Sequence, residues 1–271
     1  MSKLTLLIIF GMIFVFGISF ASSLSLYDGI YGYWSMNNTA GINATDSGQF
    51  YGNLTFNATP TWEAGKIGNA VNLKGKIYAN ISGLSQPDFS SSGFSLSLWA
   101  KNNSPWVTGS QILCQDGGFC WNVNANGLIT GLGTTSSINI SNGNYHHLVL
   151  TWNATNQVYK QYVDNNLNGT GILAPTVFGD SMRTQLGALT RNNQFFNQSM
   201  DEVGLWNRTL SPQEVSSLWN NGNGLGFESP LFTEGVTTFN STTYEMLTET
   251  YQTNFTTTGT GASGHNLVDF T

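Results

Sequence analysis

Charge is scarce in this chain. Only 9% of its 271 residues are Asp, Glu, Lys or Arg, against about 25% in an ordinary soluble domain. The nine Lys and Arg lie scattered from Lys3 to Arg208 and make no basic stripe. A phosphate backbone requires clustered cations, so nucleic acid is excluded as a partner. Histidine and cysteine are equally thin, at three and two, and neither Cys114 nor Cys120 has a His nearby to build a transition-metal centre. The chain has no Gly-x-Ser-x-Gly elbow and no His-Glu-x-x-His pair. Cleavage of a glycosidic bond needs two carboxylates facing one cleft. Asp201 and Glu202 are adjacent, which on a strand aims them at opposite faces, while Glu63, Asp116 and Asp164 each stand alone. The expectation is a protein without catalytic activity.

Apolar residues make up 40% of the chain and aromatics 13%, enough for a large core. Asn, Ser, Thr and Gly replace charge on the surface. Thirteen Asn-x-Ser/Thr sequons, from Asn37 to Asn254, are roughly twice what chance placement would give for this composition. Glycans there would solvate a surface poor in charge. At the N-terminus, Lys3 precedes an apolar run from Leu4 to Phe20 and a small-x-small exit at Ser19-Phe20-Ala21. That order reads as a signal peptide over residues 1–21 and places the protein outside the cell or on its surface. Left uncleaved, the run would be a membrane anchor, since it nearly reaches the ~18 residues that span a bilayer.

Period-two alternation dominates the rest. Phe94, Leu96, Leu98 and Ala100 alternate with Ser95, Ser97 and Trp99. Leu148, Leu150 and Trp152 alternate with His147, Val149 and Thr151, and Val158–Val163 reads the same way. Asn-Gly pairs at 126–127, 142–143 and 168–169 mark turns between half-buried strands. Many short strands with glycine turns predict an all-β fold, a two-sheet antiparallel jelly-roll sandwich. One helix interrupts it. Ser211-Pro212-Gln213-Glu214 is a capping box with Pro at the first helical position, Leu210 and Val215 can staple it, and Asn221-Gly222 ends it. Cys114 and Cys120 flank Gln-Asp-Gly-Gly-Phe, a hairpin turn that sets them across a ladder. In an oxidising compartment they bridge; free core thiols are the alternative. The region 22–227 forms the sandwich, and 228–271, Thr-rich with alternating aromatics, reads as the start of a second β domain or a tail.

Taken in order, several segments resemble the laminin-G-like jelly-roll domains of the concanavalin A-like lectin/glucanase superfamily. They are Gly32–Met36, Asp46-Ser47-Gly48 with Tyr51–Leu54, Ala64–Val71, Phe94–Ala100, Tyr145–Trp152 with Tyr162–Asn165, and Met200–Val215. The resemblance covers about 190 residues. It implies a binding sandwich and, in many relatives, a structural calcium.

Asp201 shares its strand parity with Val203 and Leu205, so it should be buried and must be hydrogen-bonded or metal-bound. The resemblance places the Asp46 loop nearby, and with Asn53 and main-chain carbonyls it could complete an oxygen shell for Ca2+. The alternative is that Asp201 caps loop amides with no ion. Tyr51, Trp62, Trp106 and Trp121 lie in or beside loops, where aromatic faces stack on sugars; core packing is the alternative for each. Two functions follow. One is a carbohydrate- or glycoprotein-binding module at the cell surface. The other is a structural domain of a larger surface or fibre protein. An exposed aromatic platform beside amides favours the first.

Overall fold

The period-two pattern becomes two antiparallel sheets. A computed structural model describes residues 26–47, 52–81, 92–103, 105, 109–115, 119–174 and 184–226. The signal-peptide segment and residues 228–271 lie outside the described residues. The first strands are β1 (Ile30–Trp34), β2 (Asn43–Ala44), β3 (Leu54–Thr55), β4 (Thr61–Ala64), β5 (Asn69–Asn72) and β6 (Ala79–Ile81). Then come β7 (Phe94–Lys101), β8 (Ser110–Gln115), β9 (Cys120–Val123), β10 (Leu128–Gly131), β11 (Thr134–Asn139) and β12 (Tyr145–Trp152). The set ends with β13 (Val158–Val163), β14 (Asn166–Ile172), β15 (Thr184–Leu186), β16 (Ala188–Leu189), β17 (Gln194–Phe195) and β18 (Ser199–Trp206).

The larger sheet runs β14-β13-β12-β7-β18-β5-β4, and β1 joins it as an eighth strand beside β18. The smaller runs β11-β10-β9-β8-β15-β6. Strand β18 has a split edge, pairing through Ser199 and Met200 with β5 and through Val203–Trp206 with β1. Between the sheets lies one core in which Phe94, Leu96 and Leu98 meet Leu148, Leu150, Trp152 and Trp121. Removing that much apolar surface from water is the main term holding the sheets together.

The outer face of the larger sheet is buried too. Helix α1 (Pro212–Trp219) lies on it, and Val215, Leu218 and Leu210 pack with Tyr33, Val149, Tyr162 and Trp206 in a second cluster. The capping box forms as the sequence predicts: Ser211 Oγ accepts from the Glu214 N–H at 3.2 Å, and the Glu214 carboxylate accepts from the Ser211 N–H at 2.7 Å. Arg208 holds the same carboxylate at 2.5 Å. Asn220, left-handed at φ 46°, stops the helix one residue before the expected Asn-Gly.

Turn chemistry holds at Asp164-Asn165, where φ values of 49° and 64° make the two-residue link from β13 to β14. It fails at Asn168-Gly169, which lies inside β14. There Asn168 Oδ1 accepts from the Ser137 N–H at 2.6 Å and the Ile138 N–H at 3.3 Å, so the Asn ties the edge strands of the two sheets together. Gly169 leaves room for the Gln161 side chain, since a Cβ would sit 2.4 Å from Gln161 Nε2. Cys114 and Cys120 pair across β8 and β9 with Cα atoms 4.2 Å apart, and they are bridged.

Candidate functional site

The sequence places Asp46, Asn53 and Asp201 around one cation. The structure joins only the first two. Asp46 pairs with Trp34 beside β1. Its carboxylate accepts from the Tyr33 N–H at 3.1 Å and the Gly52 N–H at 2.8 Å, and its own N–H donates to Asn53 Oδ1 at 3.0 Å. Asp201 serves a different loop. Its Oδ2 accepts from the N–H groups of Lys66 and Ile67 at 2.7 and 3.0 Å, and its Oδ1 from Glu202 at 2.8 Å. N–H donors aim positive hydrogens at these oxygens, where a cation would have to sit. Among the described residues no group of three or more His, Cys, Asp or Glu is arranged to hold a metal. The donor set does not fit calcium; it fits amide capping. Burial pushes the Asp201 carboxyl up to about 7, and the three amide donors work against that rise.

The strand parity of Asp201 also differs from the alternation. The ladder to β7 steps from Asp201–Trp99 to Gly204–Ser97, three residues against two, with Glu202 at φ 50°. This β-bulge shifts the faces by one. Val203 and Leu205 enter the core with Met200, whereas Asp201 pairs with Trp99 on the outer face. It is fully buried all the same, at 0% exposure. Above it Lys66 Nζ sits 4.8 Å from the Trp99 ring, and Trp219 stacks on that ring at 5.2 Å.

The four aromatic candidates scatter. Tyr51 and Trp106 lie outside the described residues. Trp121 is fully buried, donates its Nε1–H to Gln161 Oε1 at 3.3 Å and has no face to offer a ligand. Along β9 burial alternates, with Trp121 and Val123 at the buried positions. Trp62 is half-buried, with its ring edge against Phe56 and its Nε1–H donated to Gly41 O at 3.1 Å.

A different aromatic pair occupies the position expected of a platform. Tyr78 precedes β6 and Phe195 ends β17; both are half-buried, with ring centroids 6.2 Å apart. Lys76 Nζ lies 5.6 Å from the Phe195 ring and donates to Asn193 Oδ1 at 3.0 Å. Amides surround the pair. Asn57 Oδ1 accepts from the Tyr78 N–H at 2.9 Å, and Asn197 Oδ1 from the Lys76 N–H at 3.1 Å. Two residues on, Asn80 accepts from Gln185 Nε2 at 3.1 Å, and Gln185 Oε1 accepts from Thr190. The β16–β17 hairpin thus lays aromatic and amide groups along one edge of the smaller sheet. Sequence reading misses the pair because Tyr78 and Phe195 stand 117 residues apart and only the fold brings them together.

Glu63 and Asp164 are tied into structure. Glu63 accepts from Ser199 Oγ at 2.6 Å and Asn72 Nδ2 at 2.9 Å, with Lys101 at 3.5 Å. Burial opposes its charge, but these donors together hold its carboxyl below the usual range. Asp164 binds His146 Nδ1 at 2.6 Å and accepts from the His147 N–H at 2.9 Å. His147 is packed against Trp99, with Nε2 2.8 Å from Ser97 Oγ, and burial drives it down to about 3.

Two antiparallel sheets with a capped helix on the outside of the larger one define a lectin-type β-sandwich. Residues 73–216, just over half of the chain, match a laminin G family model, described as the concanavalin A-like lectin/glucanases superfamily. The chain belongs to this family. It is 29% identical over 119 residues to the rat (Rattus norvegicus) sushi, von Willebrand factor type A, EGF and pentraxin domain-containing protein 1, covering 38% of this chain and 3% of that one. It is 28% identical over 91 residues to neuronal pentraxin-2 of Cavia porcellus, covering 30% of this chain and 21% of that one. The chain therefore spans a small part of either relative. Among solved structures, domain 4 of AbnA, a GH43 extracellular arabinanase from Geobacillus stearothermophilus in complex with arabinotriose, superposes with a TM-score of 0.55. That match has 21% identity and covers 69% of this chain and 97% of that one. Trypanosoma rangeli sialidase superposes with a TM-score of 0.52 at 16% identity, covering 73% and 34%. At these identities the structural likeness shows the fold alone. Among the described residues no helix is long and apolar enough to cross a membrane.

Proposed function

We propose that this chain is an exported, non-catalytic recognition module that binds carbohydrate or a glycoprotein at the cell surface. The observation that carries this reading is the half-buried Tyr78–Phe195 ring pair bordered by the Asn57, Asn193 and Asn197 amides. Aromatic faces cover the C–H faces of a sugar ring, and amides donate to and accept from its hydroxyls. The N-terminal sequence order and the sequon excess support export, and the arabinotriose complex of the arabinanase domain supports sugar as a ligand of this fold. Against catalysis, Asp201 is inaccessible and Glu63 and Asp164 are occupied by internal donors.

The test is a polysaccharide and glycan array probed with the full chain and with Tyr78→Ala and Phe195→Ala, each checked by circular dichroism. Binding by the wild type and a drop of about tenfold in each variant, equivalent to ~1.4 kcal/mol, is the expected result. A folded wild type that binds nothing would leave the structural-domain reading in its place, and release of reducing sugar would overturn the non-catalytic part.

A further inference from the structure

A second hollow, on the opposite sheet, has its own chemistry. It lies on the outer face of the larger sheet, between the β12–β13 turn and the start of α1, and encloses about 90 Å3. Its wall includes Asn153, Asn156, Val158, Lys160, Tyr162 and Thr209. No carboxylate lines it. This is notable in a chain with 15 acidic and nine basic residues.

The turn orients its amides. Asn153 Oδ1 accepts from the N–H groups of Thr155 and Asn156 at 2.9 and 3.2 Å, and Asn156 Oδ1 from the Val158 N–H at 3.0 Å. With both oxygens engaged by the backbone, each Nδ2 group is left as the donor available to the hollow. Four other described cations are engaged, Lys101 with Glu63, Arg208 with Glu214, Lys66 over Trp99 and Lys76 on Asn193, while Lys74 is exposed on the surface. Lys160 is half-buried and makes no ion pair or hydrogen bond among the described residues. The Tyr162 hydroxyl is likewise unengaged, and burial raises its pKa, so it stays a donor.

We infer that this hollow binds the carboxylate-bearing terminal ring of an acidic sugar. Two amide N–H2 groups, a phenol and an ammonium converge with no opposing acid, and a cation with such donors favours an anionic acceptor. A neutral ring supplies hydroxyls that need acceptors as well as donors. Val158 and Leu210 in the wall give a ring its apolar contact, and Thr209 Oγ1, which donates to Trp152 O at 2.9 Å, keeps a lone pair for one hydroxyl. This inference rests on the glycan-binding reading only in choosing a sugar as the carrier of the carboxylate; the site is separate from the Tyr78 platform. Asn153 begins a sequon, so a glycan attached there would close the hollow.

The experiment uses the full chain made in bacteria, which leaves Asn153 bare. Methyl glucuronide, methyl glucoside, acetate and sulfate are titrated at equal ionic strength while the Asn side-chain amides are followed by NMR. The glucuronide should shift Asn153 and Asn156 saturably, and the glucoside should bind about tenfold more weakly or less. Lys160→Met should lower glucuronide affinity by a similar factor, and Lys160→Arg should retain most of it. Lys74→Met, at an exposed lysine outside the hollow, should leave it unchanged. Equal binding of glucoside, no shift at the two Asn residues, or an unaffected Lys160→Met protein would overturn the proposal. Acetate or sulfate matching glucuronide would overturn the sugar part by showing a bare anion site. Glucuronide binding without array binding would sink the platform and keep the hollow; array binding without glucuronide would do the reverse.

Discussion

The Lys66 amide donates its hydrogen to the Asp201 carboxylate at 2.7 Å, joining the β4–β5 turn to a strand 135 residues further along the chain. Asp201 thereby holds the turn through its side chain. Its oxygens meet three N–H groups, two of them from that turn.

Asp201→Ala strands three donors, the buried Glu202 N–H and the partly buried N–H groups of Lys66 and Ile67. Each unsatisfied group costs on the order of 1–3 kcal/mol, and the variant should lose about 3 kcal/mol or more, read as a lower urea midpoint. Wild-type melting should be the same in calcium and in chelator. A saturable rise in melting temperature with calcium, absent from the Asp201→Ala protein, would restore the metal.

Ser211→Ala removes the acceptor for the Glu214 N–H and should cost about 0.5–2 kcal/mol. Ser211→Asp, which keeps a capping oxygen, should recover most of it. Thermal melts of the three proteins decide this, and an unchanged Ser211→Ala protein would mean that the helix is held by packing alone.

Two buried groups tilt stability with pH in opposite senses. His147 sits at about 3 when folded and near 6.5 when unfolded. Its contribution is therefore present above pH 6.5 and lost as pH falls toward 3. Asp201 sits at about 7 when folded and near 3.8 when unfolded, so its contribution is present below pH 3.8 and lost as pH rises through 7. Between pH 4 and 6.5 the two slopes offset each other. His147→Gln should become relatively more stable on acidification and Asp201→Asn relatively less, as urea midpoints at pH 4.5 and 6.5 would show. Parallel pH profiles for both variants and the wild type would refute the pairing.

The Cys114–Cys120 bridge closes a seven-residue loop, which by chain entropy is worth about 2 kcal/mol. Cys114 is fully buried and Cys120 half-buried, and in the bridge neither sulfur is a free thiol. Alkylation under native conditions should label neither thiol, and after reduction in urea it should label both. Labelling of the native protein would show that the bridge is absent.

Much of the scaffold was legible because local patterns agreed with the fold. Alternation in 94–101 and 145–152 matched two adjacent central strands, and the Ser211 capping box gave its helix within one residue. The hairpin at Asp164-Asn165 lies in a segment, Tyr162–Asn165, that was legible through its resemblance to the family. The misses arose where a non-local event decided. One bulged residue at Glu202 moved Asp201 to the other face, which no parity count could detect. Asn168-Gly169 looks like a turn, yet its amide is used to seal two sheet edges. Trp121 looked available beside a glycine turn but is a core residue. The Tyr78–Phe195 pair exists only once the β16–β17 hairpin folds back against the smaller sheet.

The split edge of β18 has a kinetic consequence. This strand lies between β7 on one side and β1 and β5 on the other, yet it comes near the end of the domain. A growing chain that has not reached residue 199 has three early strands with no seam to join. The pairings that complete the larger sheet reach from Ile30 to Trp206, 176 residues apart in sequence. Such distant pairings make for slow assembly. The pairings of β1 and β5 with β18 can form only once β18 has been made.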